Sequence, residues 1–268
     1  MEDDIRALRG VRHFLLDLDG TIYLGANLIP GAAEFIQYLR ETDRKYLFFT
    51  NNSSKNAEEY AEKLARLGIP ATPADILTSG EATVRYLLEQ TTHRKLFVVG
   101  MPSFEEELTR AGFTLTEKGV DAVVLAFDRS LTYGKLERAC LLLRENLPYF
   151  ATNPDKVCPT DYGYIPDCGS IAALLHEASG RTPIYIGKPN PEMVRIGMEK
   201  LGGAIDSTAM IGDRLYTDMQ MAYTAGIVSV LVLSGETKRE NLGASAQQPH
   251  FVFDSVKGLR DALAGSTP

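Results

Sequence analysis

The chain has 268 residues, 44% of them hydrophobic and 24% charged, a mixture that can bury a sizeable core and lies outside the composition of disordered chains. Its 35 acidic residues exceed its 28 basic ones, for a formal charge of −7 with no basic run, so neither a nucleic-acid polymer nor an anionic membrane is an expected partner. Cys140, Cys158 and Cys168 form neither a C-x-x-C pair nor an even set; with the acidic opening MEDDIRALRG and no run of about 18 apolar residues, this predicts a cytoplasmic protein without disulfides, structural zinc or a membrane span.

In chain order, short apolar runs alternate with amphipathic stretches: RHFLLDLD, PGAAEFIQYLRET, KYLFFTN, SKNAEEYAEKLARLG. That alternation predicts a parallel sheet covered by helices, and the unbroken apolarity of FLL and YLFF suits strands buried on both faces. Pro30 is expected to begin a helix, Gly68 to end one, and Ser53 and Ser54 to cap a helix starting near Lys55. The pattern resumes with IYIGKP, a helix over Pro191 to Leu201, TAMIGD, a helix over LYTDMQMAYTAG, and VSVLVLSG. Between the two blocks, roughly Ser79 to Tyr185 carries its own strand and helix alternation and is long enough to be an inserted domain. The fold class expected is α/β: a doubly wound, Rossmann-like parallel-sheet core over 1–78 and 187–268, with an inserted α/β cap over 79–186.

Polar clusters directly follow three of the buried strands. Asp17 and Asp19 follow FLL, the Thr50, Asn51, Asn52 and Ser53 cluster follows YLFF, and Asp213 follows AMIG. The ends of parallel strands form the crevice where ligands bind in open α/β sheets. Carboxylates about 4 Å apart repel by about 4 kcal/mol at an effective dielectric of 20, so Asp17, Asp213 and Asp218 would gather only around a cation. Hard oxygen donors with no His or Cys beside them favour Mg²⁺, which keeps room for water and a substrate phosphate. An Asp-Gly turn alone would explain Gly20 but not Asp17. An EF-hand fails because Leu28 stands where the bidentate Glu is required, and GRTPIYIGKP lacks the spacing of a P-loop.

Taken together and in order, DLDGT at 17–21, FFTNNS at 48–53, GKP at 187–189 and GDRLYTD at 212–218 resemble the four motifs of haloacid dehalogenase-superfamily phosphatases. The insert between the second and third motifs resembles the type IIA group with a C2-type cap, and ATNPD at 151–155, DCGSIAALL at 167–175 and GRTPIYIGKPNP at 180–191 resemble its NagD-like branch. The resemblance implies a Mg²⁺-dependent phosphomonoesterase acting on small metabolites, nucleoside monophosphates or sugar phosphates. Asp17 would be the nucleophile and Asp19 the general acid and base, with the Asp19 carbonyl also on the metal. Thr50, Asn51 and Asn52 would bind the phosphoryl group, and Lys188 would supply fixed positive charge. Asp17, Asp19, Asp213 and Asp218 would be the metal residues; whether Asp218 reaches the ion directly, through water or through Lys188 stays open, because Arg214 stands where many relatives carry a second carboxylate.

The cap would close over the site, with Asn153, Asp155, Asp167 and Cys168 expected to contact the rest of the substrate. Cys168 also reads as a small core thiol. Two rival functions share this scaffold, a phosphotransferase or mutase and a noncatalytic phosphate-ligand sensor. Natural substrate and self-association are left open.

Overall fold

A computed structural model describes residues 8–160, 162–244 and 248–265. In chain order its strands are β1 (His13–Leu16), β2 (Tyr23–Leu24), β3 (Asn27–Leu28), β4 (Lys45–Thr50), β5 (Ile76–Thr78), β6 (Lys95–Val99), β7 (Thr114–Leu115), β8 (Ala122–Leu125), β9 (Tyr149–Ala151), β10 (Val157–Thr160), β11 (Gly163–Pro166), β12 (Ile184–Tyr185), β13 (Thr208–Gly212), β14 (Val228–Val232) and β15 (Phe251–Phe253). They divide between two compact units: of the described residues, those within 8–50, 61–77 and 194–265 form one, and those within 51–60 and 78–193 form the other.

The first unit is built on a six-stranded sheet in the order β15-β14-β13-β1-β4-β5. β1 sits between β13 and β4 and runs parallel to both, with Leu16 opposite Ile211 on one side and Phe48 on the other. Phe14, Leu15 and Leu16 are buried completely, as an inner strand covered on both faces requires. The helix Pro191–Leu201 lies close against this sheet because residue 197 is glycine: a Cβ there would come within 2.8 Å of the Phe49 ring and 3.4 Å of Leu15. Only Asp213 and Arg214 separate β13 from the helical turn Leu215–Met219, and the polar residues 51–56 separate β4 from the helix Ala57–Arg66. That geometry leaves the carboxyl edge of the sheet to loop residues rather than to core side chains.

The second unit has its own five-stranded sheet, β12-β9-β8-β6-β7, parallel throughout, and an antiparallel hairpin of β10 and β11. Phe97, Val99, Val123, Leu125 and Phe127 pack with the helices Tyr133–Arg144 and Cys168–Ser179 into one core cluster. Residues 51–60 and 187–193 belong to this unit rather than to the first, and the reason is local hydrogen bonding. The Ser53 hydroxyl accepts from the Phe127 N–H at 3.0 Å and pairs with the Thr152 hydroxyl at 2.8 Å, while the Gly187 N–H donates to the Thr152 carbonyl at 2.8 Å.

Helix ends follow the sequence signals with two corrections, the first being that the helix expected to begin at Pro30 runs over Ala32–Glu41 with Gly31 as its N-cap. Gly68 takes a positive φ of 88° just past the helix Ala57–Arg66, and the helix Pro191–Leu201 has the bounds expected of it. The helix at 57 is capped by Asn56, however, and not by Ser53 or Ser54. Asn56 Oδ1 accepts from the Glu59 N–H at 2.9 Å, and Glu59 Oε2 accepts from the Asn56 N–H at 3.0 Å, a reciprocal pair that satisfies two otherwise unpaired amides. Ser54 instead donates to the Asn52 side chain from both its N–H and its hydroxyl. Among the described residues no helix is long and apolar enough to cross a membrane.

Candidate active site

In the first unit, the register of β1 against β13 decides the site. Leu16 faces Ile211, and the Asp17 N–H continues the ladder to the Ile211 carbonyl at 2.9 Å, so the residues that follow both strands emerge side by side. Asp17 and Asp213 leave the sheet here. Asp218 reaches the same place from a single wide π-type turn, Leu215–Met219, a distortion frequent at functional positions. One carboxylate oxygen from each of Asp17, Asp213 and Asp218 lies within 4.8 Å of the other two, and all three residues are buried.

The backbone holds these carboxylates in place. Asp213 Oδ2 accepts from the Glu236 N–H at 2.6 Å, and Asp218 Oδ2 accepts from the Arg214 N–H at 3.1 Å. Glycines make the room: a Cβ on Gly20 or Gly235 would overlap the Asp213 carboxylate, and one on Gly212 would overlap that of Asp218. Gly20 additionally has a φ of 88°, which a side chain would strain. The loop after β14 was not singled out from sequence, yet it lies against this cluster, with the Ser234 hydroxyl donating to the Gly20 carbonyl at 2.7 Å. Its signal was present in VSVLVLSG, an apolar strand followed by small polar residues at the same sheet edge. Arg214 turns to Glu236, Nε to Oε2 at 3.0 Å.

Three buried carboxylates this close repel by roughly 3 to 4 kcal/mol per pair at an effective dielectric of 20. A divalent cation relieves that repulsion, and an all-oxygen donor set of this size fits a hard ion. The residues present therefore suit a divalent metal. Asp19 is half-buried and receives a long hydrogen bond of 3.4 Å from the Tyr23 hydroxyl. Thr50, buried, closes β4 beside β1 in the same sheet.

The second unit gathers the remaining residues into a different arrangement. Asn51 Nδ2 donates to Asp155 Oδ2 at 2.6 Å and to the Lys188 carbonyl at 2.9 Å, and Asn51 Oδ1 accepts from the Lys188 N–H at 2.8 Å. The Asn51 side chain is thus committed to protein partners. Asn153 Nδ2 donates to Asp155 Oδ2 at 3.0 Å and to Asp167 Oδ1 at 3.1 Å. Asp167 also caps the helix Cys168–Ser179 by accepting from the Cys168 N–H. Asn153, Asp155, Asp167 and Cys168 are all buried, none more than 5% exposed. Asn52 Nδ2 lies 3.5 Å from the Cys158 sulfur at the start of the hairpin.

Cys168 packs in the core of its unit, its sulfur 3.7 Å from the Thr152 hydroxyl. Burial, and secondarily the neighbouring Asp167, push the thiol up to about 12, so it stays protonated at neutral pH.

Residues 14–114 match the family model of the haloacid dehalogenase-like hydrolases, and residues 185–259 match a second, HAD-hydrolase-like model. The chain is 34% identical to a 5′-nucleotidase of Bacillus subtilis over 93% of its own length and 97% of that relative. It is 35% identical to an acid sugar phosphatase of Staphylococcus haemolyticus, covering 93% of this chain and 95% of that one. Among solved structures, a 4-nitrophenylphosphatase of Thermotoga maritima superposes with a TM-score of 0.93 at 42% identity, covering 96% of this chain and 99% of the other. NagD of Escherichia coli K-12 superposes at 0.87 with 30% identity, covering 92% and 97%.

Two measurements check this geometry. Gly235→Ala displaces the Asp213 carboxylate, and calorimetric titration with Mg²⁺ is expected to show affinity weakened about 10- to 100-fold, with the far-ultraviolet spectrum unchanged. Under native conditions iodoacetamide should label Cys140 and Cys158 but spare Cys168 until denaturant is added; three labels in the folded protein would contradict the buried, protonated thiol.

Proposed function

Because this chain is a phosphatase of the haloacid dehalogenase superfamily, in its NagD branch, acting on phosphate esters, we propose that it hydrolyses small phosphomonoesters, nucleoside monophosphates or sugar phosphates, through an aspartyl-phosphate on Asp17. The observation that carries this reading is the convergence of Asp17, Asp213 and Asp218 at one sheet edge, where binding a cation and presenting a nucleophile require the same carboxylate. Phosphatases of this superfamily generally use a divalent metal, and Mg²⁺ is the ion proposed here, held by Asp17, Asp213 and Asp218 with the Asp19 carbonyl. When bound, Mg²⁺ neutralises charge on the phosphoryl oxygens and on the carboxylates around them.

The steps belong to the residues. An Asp17 carboxylate oxygen attacks phosphorus in line, the bond to the ester oxygen breaks, and Asp19 delivers its proton to that leaving oxygen. Asp19, now ionised, takes a proton from water, whose oxygen attacks the phosphorus of the aspartyl-phosphate; inorganic phosphate leaves and Asp17 is restored. The Thr50 hydroxyl, with the donors of the Asn51 and Asn52 turn, is assigned to the phosphoryl oxygens. Since the Asn51 side chain is bound to Asp155 and Lys188, its contribution is assigned to the main-chain N–H. Lys188 carries the positive charge that offsets nucleophile and phosphate. Relatives named for nucleotide, sugar-phosphate and nitrophenyl-phosphate hydrolysis support water as the acceptor over a second metabolite.

Steady-state turnover of 4-nitrophenyl phosphate tests the mechanism. Asp17→Asn is expected to lower kcat by at least about 10³-fold, since the nucleophile is lost while the fold remains. Exhaustive chelation should abolish turnover and added Mg²⁺ restore it. Turnover near wild type in the variant, or in chelated enzyme, would overturn the covalent or the metal-dependent part respectively.

A further inference from the structure

Lys188 carries the fixed charge in the reaction proposed above, and the inference here rests on that role. We propose that Asp155 is a positioning residue for Lys188, acting through the side chain of Asn51. The Asn51 amide grips one residue at two points, accepting from the Lys188 N–H at 2.8 Å and donating to the Lys188 carbonyl at 2.9 Å. Its second amide hydrogen goes to Asp155 Oδ2 at 2.6 Å. A carboxamide has donors on one side and an acceptor on the other, and rotating it by half a turn exchanges them. An ionised carboxylate can only accept. Asp155 therefore selects the orientation in which Asn51 nitrogen faces it, and that orientation alone presents the correct pair of partners to Lys188. The opposite orientation sets oxygen against oxygen at 155 and loses both bonds to 188.

Asp155 is itself held from two sides. Asn153 Nδ2 donates to the same Oδ2 at 3.0 Å, and the Asp155 carbonyl accepts from the Gly169 N–H at 2.8 Å in the first turn of the helix Cys168–Ser179. Glycine is needed at 169, since a Cβ there would overlap the Pro154 carbonyl. Asn153 is oriented in turn by Asp167 and by the Thr152 hydroxyl at 2.8 Å. Asp155 and Lys188 are 5% and 2% exposed, so an unsatisfied amide hydrogen on Asn51 would have little water to turn to. The chain of contacts runs from a helix N-terminus through two carboxamides to the backbone of the lysine.

The test combines kinetics with hydrogen exchange. For 4-nitrophenyl phosphate, Asp155→Ala is expected to lower kcat about 10- to 100-fold with KM changed by less than about 3-fold, as for residues that orient a catalytic group. Asp155→Asn keeps an acceptor oxygen and should recover to within about 5-fold of wild type. In a Lys188→Met background, Asp155→Ala should cost less than about 3-fold more, because both changes remove one function. Losses that multiply in the double variant, or a KM rise confined to one substrate, would mean that Asp155 contacts substrate instead. Independently of turnover, the Lys188 amide in Asp155→Ala should exchange with solvent at least about 10-fold faster than in wild type, read by NMR. The amides of Ile186 and Gly187, bonded to Ala151 and Thr152, should keep their protection. Unchanged exchange at Lys188 overturns the proposal even in an active enzyme, and accelerated exchange upholds it even if Asp17→Asn and chelation overturn the covalent and metal-dependent parts of the mechanism. Should Asp155→Ala not fold, Asp155→Leu, which keeps the branched outline of the side chain and removes the acceptor, carries the same expectations.

Discussion

The mutual repulsion of three buried carboxylates is the constraint around which the first unit is organised. Asp17, Asp213 and Asp218 cannot spread apart, because Asp17 and Asp213 are delivered by adjacent parallel strands in fixed register and Asp218 by a wide turn just beyond. Main-chain amides and side-chain-free glycine backbone hold two of them in place. A rigid arrangement of like charges is unfavourable without a cation and well matched with one. The same rigidity suits a nucleophile, whose attacking oxygen must sit close to its target before reaction.

Buried polarity in the second unit is handled in the opposite way. There Asn51, Asn153, Asp155, Asp167 and Thr152 satisfy one another through hydrogen bonds. A satisfied network in a low-dielectric interior is stiff, because each broken bond leaves a group without water to replace it. Stiffness is the property required to fix a lysine backbone. The carboxylates of this unit thus satisfy neighbouring side-chain amides, whereas in the first unit three of them lie together, two held by main-chain N–H groups.

Much of this was legible from residues alone. Apolar runs ending in polar clusters identified the strand ends at Asp17, Thr50 and Asp213, because only a residue at the rim of a sheet is both preceded by a core strand and free to be polar. Other features were not. Ser53 and Ser54 are as good capping types as Asn56, and the choice fell to Asn56 because Glu59 stands where a reciprocal bond can form, while Ser53 is drawn to Thr152. The roles of Gly235 and Glu236 depend on a loop that follows Asp213 by more than twenty residues in sequence and returns to it in space.

The order of residues by itself determined the α/β class, the parallel core sheet, the acidic and basic groups available for chemistry and the family to which the chain belongs. Those follow from hydrophobic periodicity and from short motifs, which are local in the chain. Tertiary structure alone decided that the Asp218 carboxylate lies directly beside those of Asp17 and Asp213, that the Asn51 amide faces Asp155 and Lys188, and that Cys168, of the two readings open to it, is a protonated core thiol. Each of these is set by strand register, amide orientation or burial, and all three arise only when segments remote in sequence pack together.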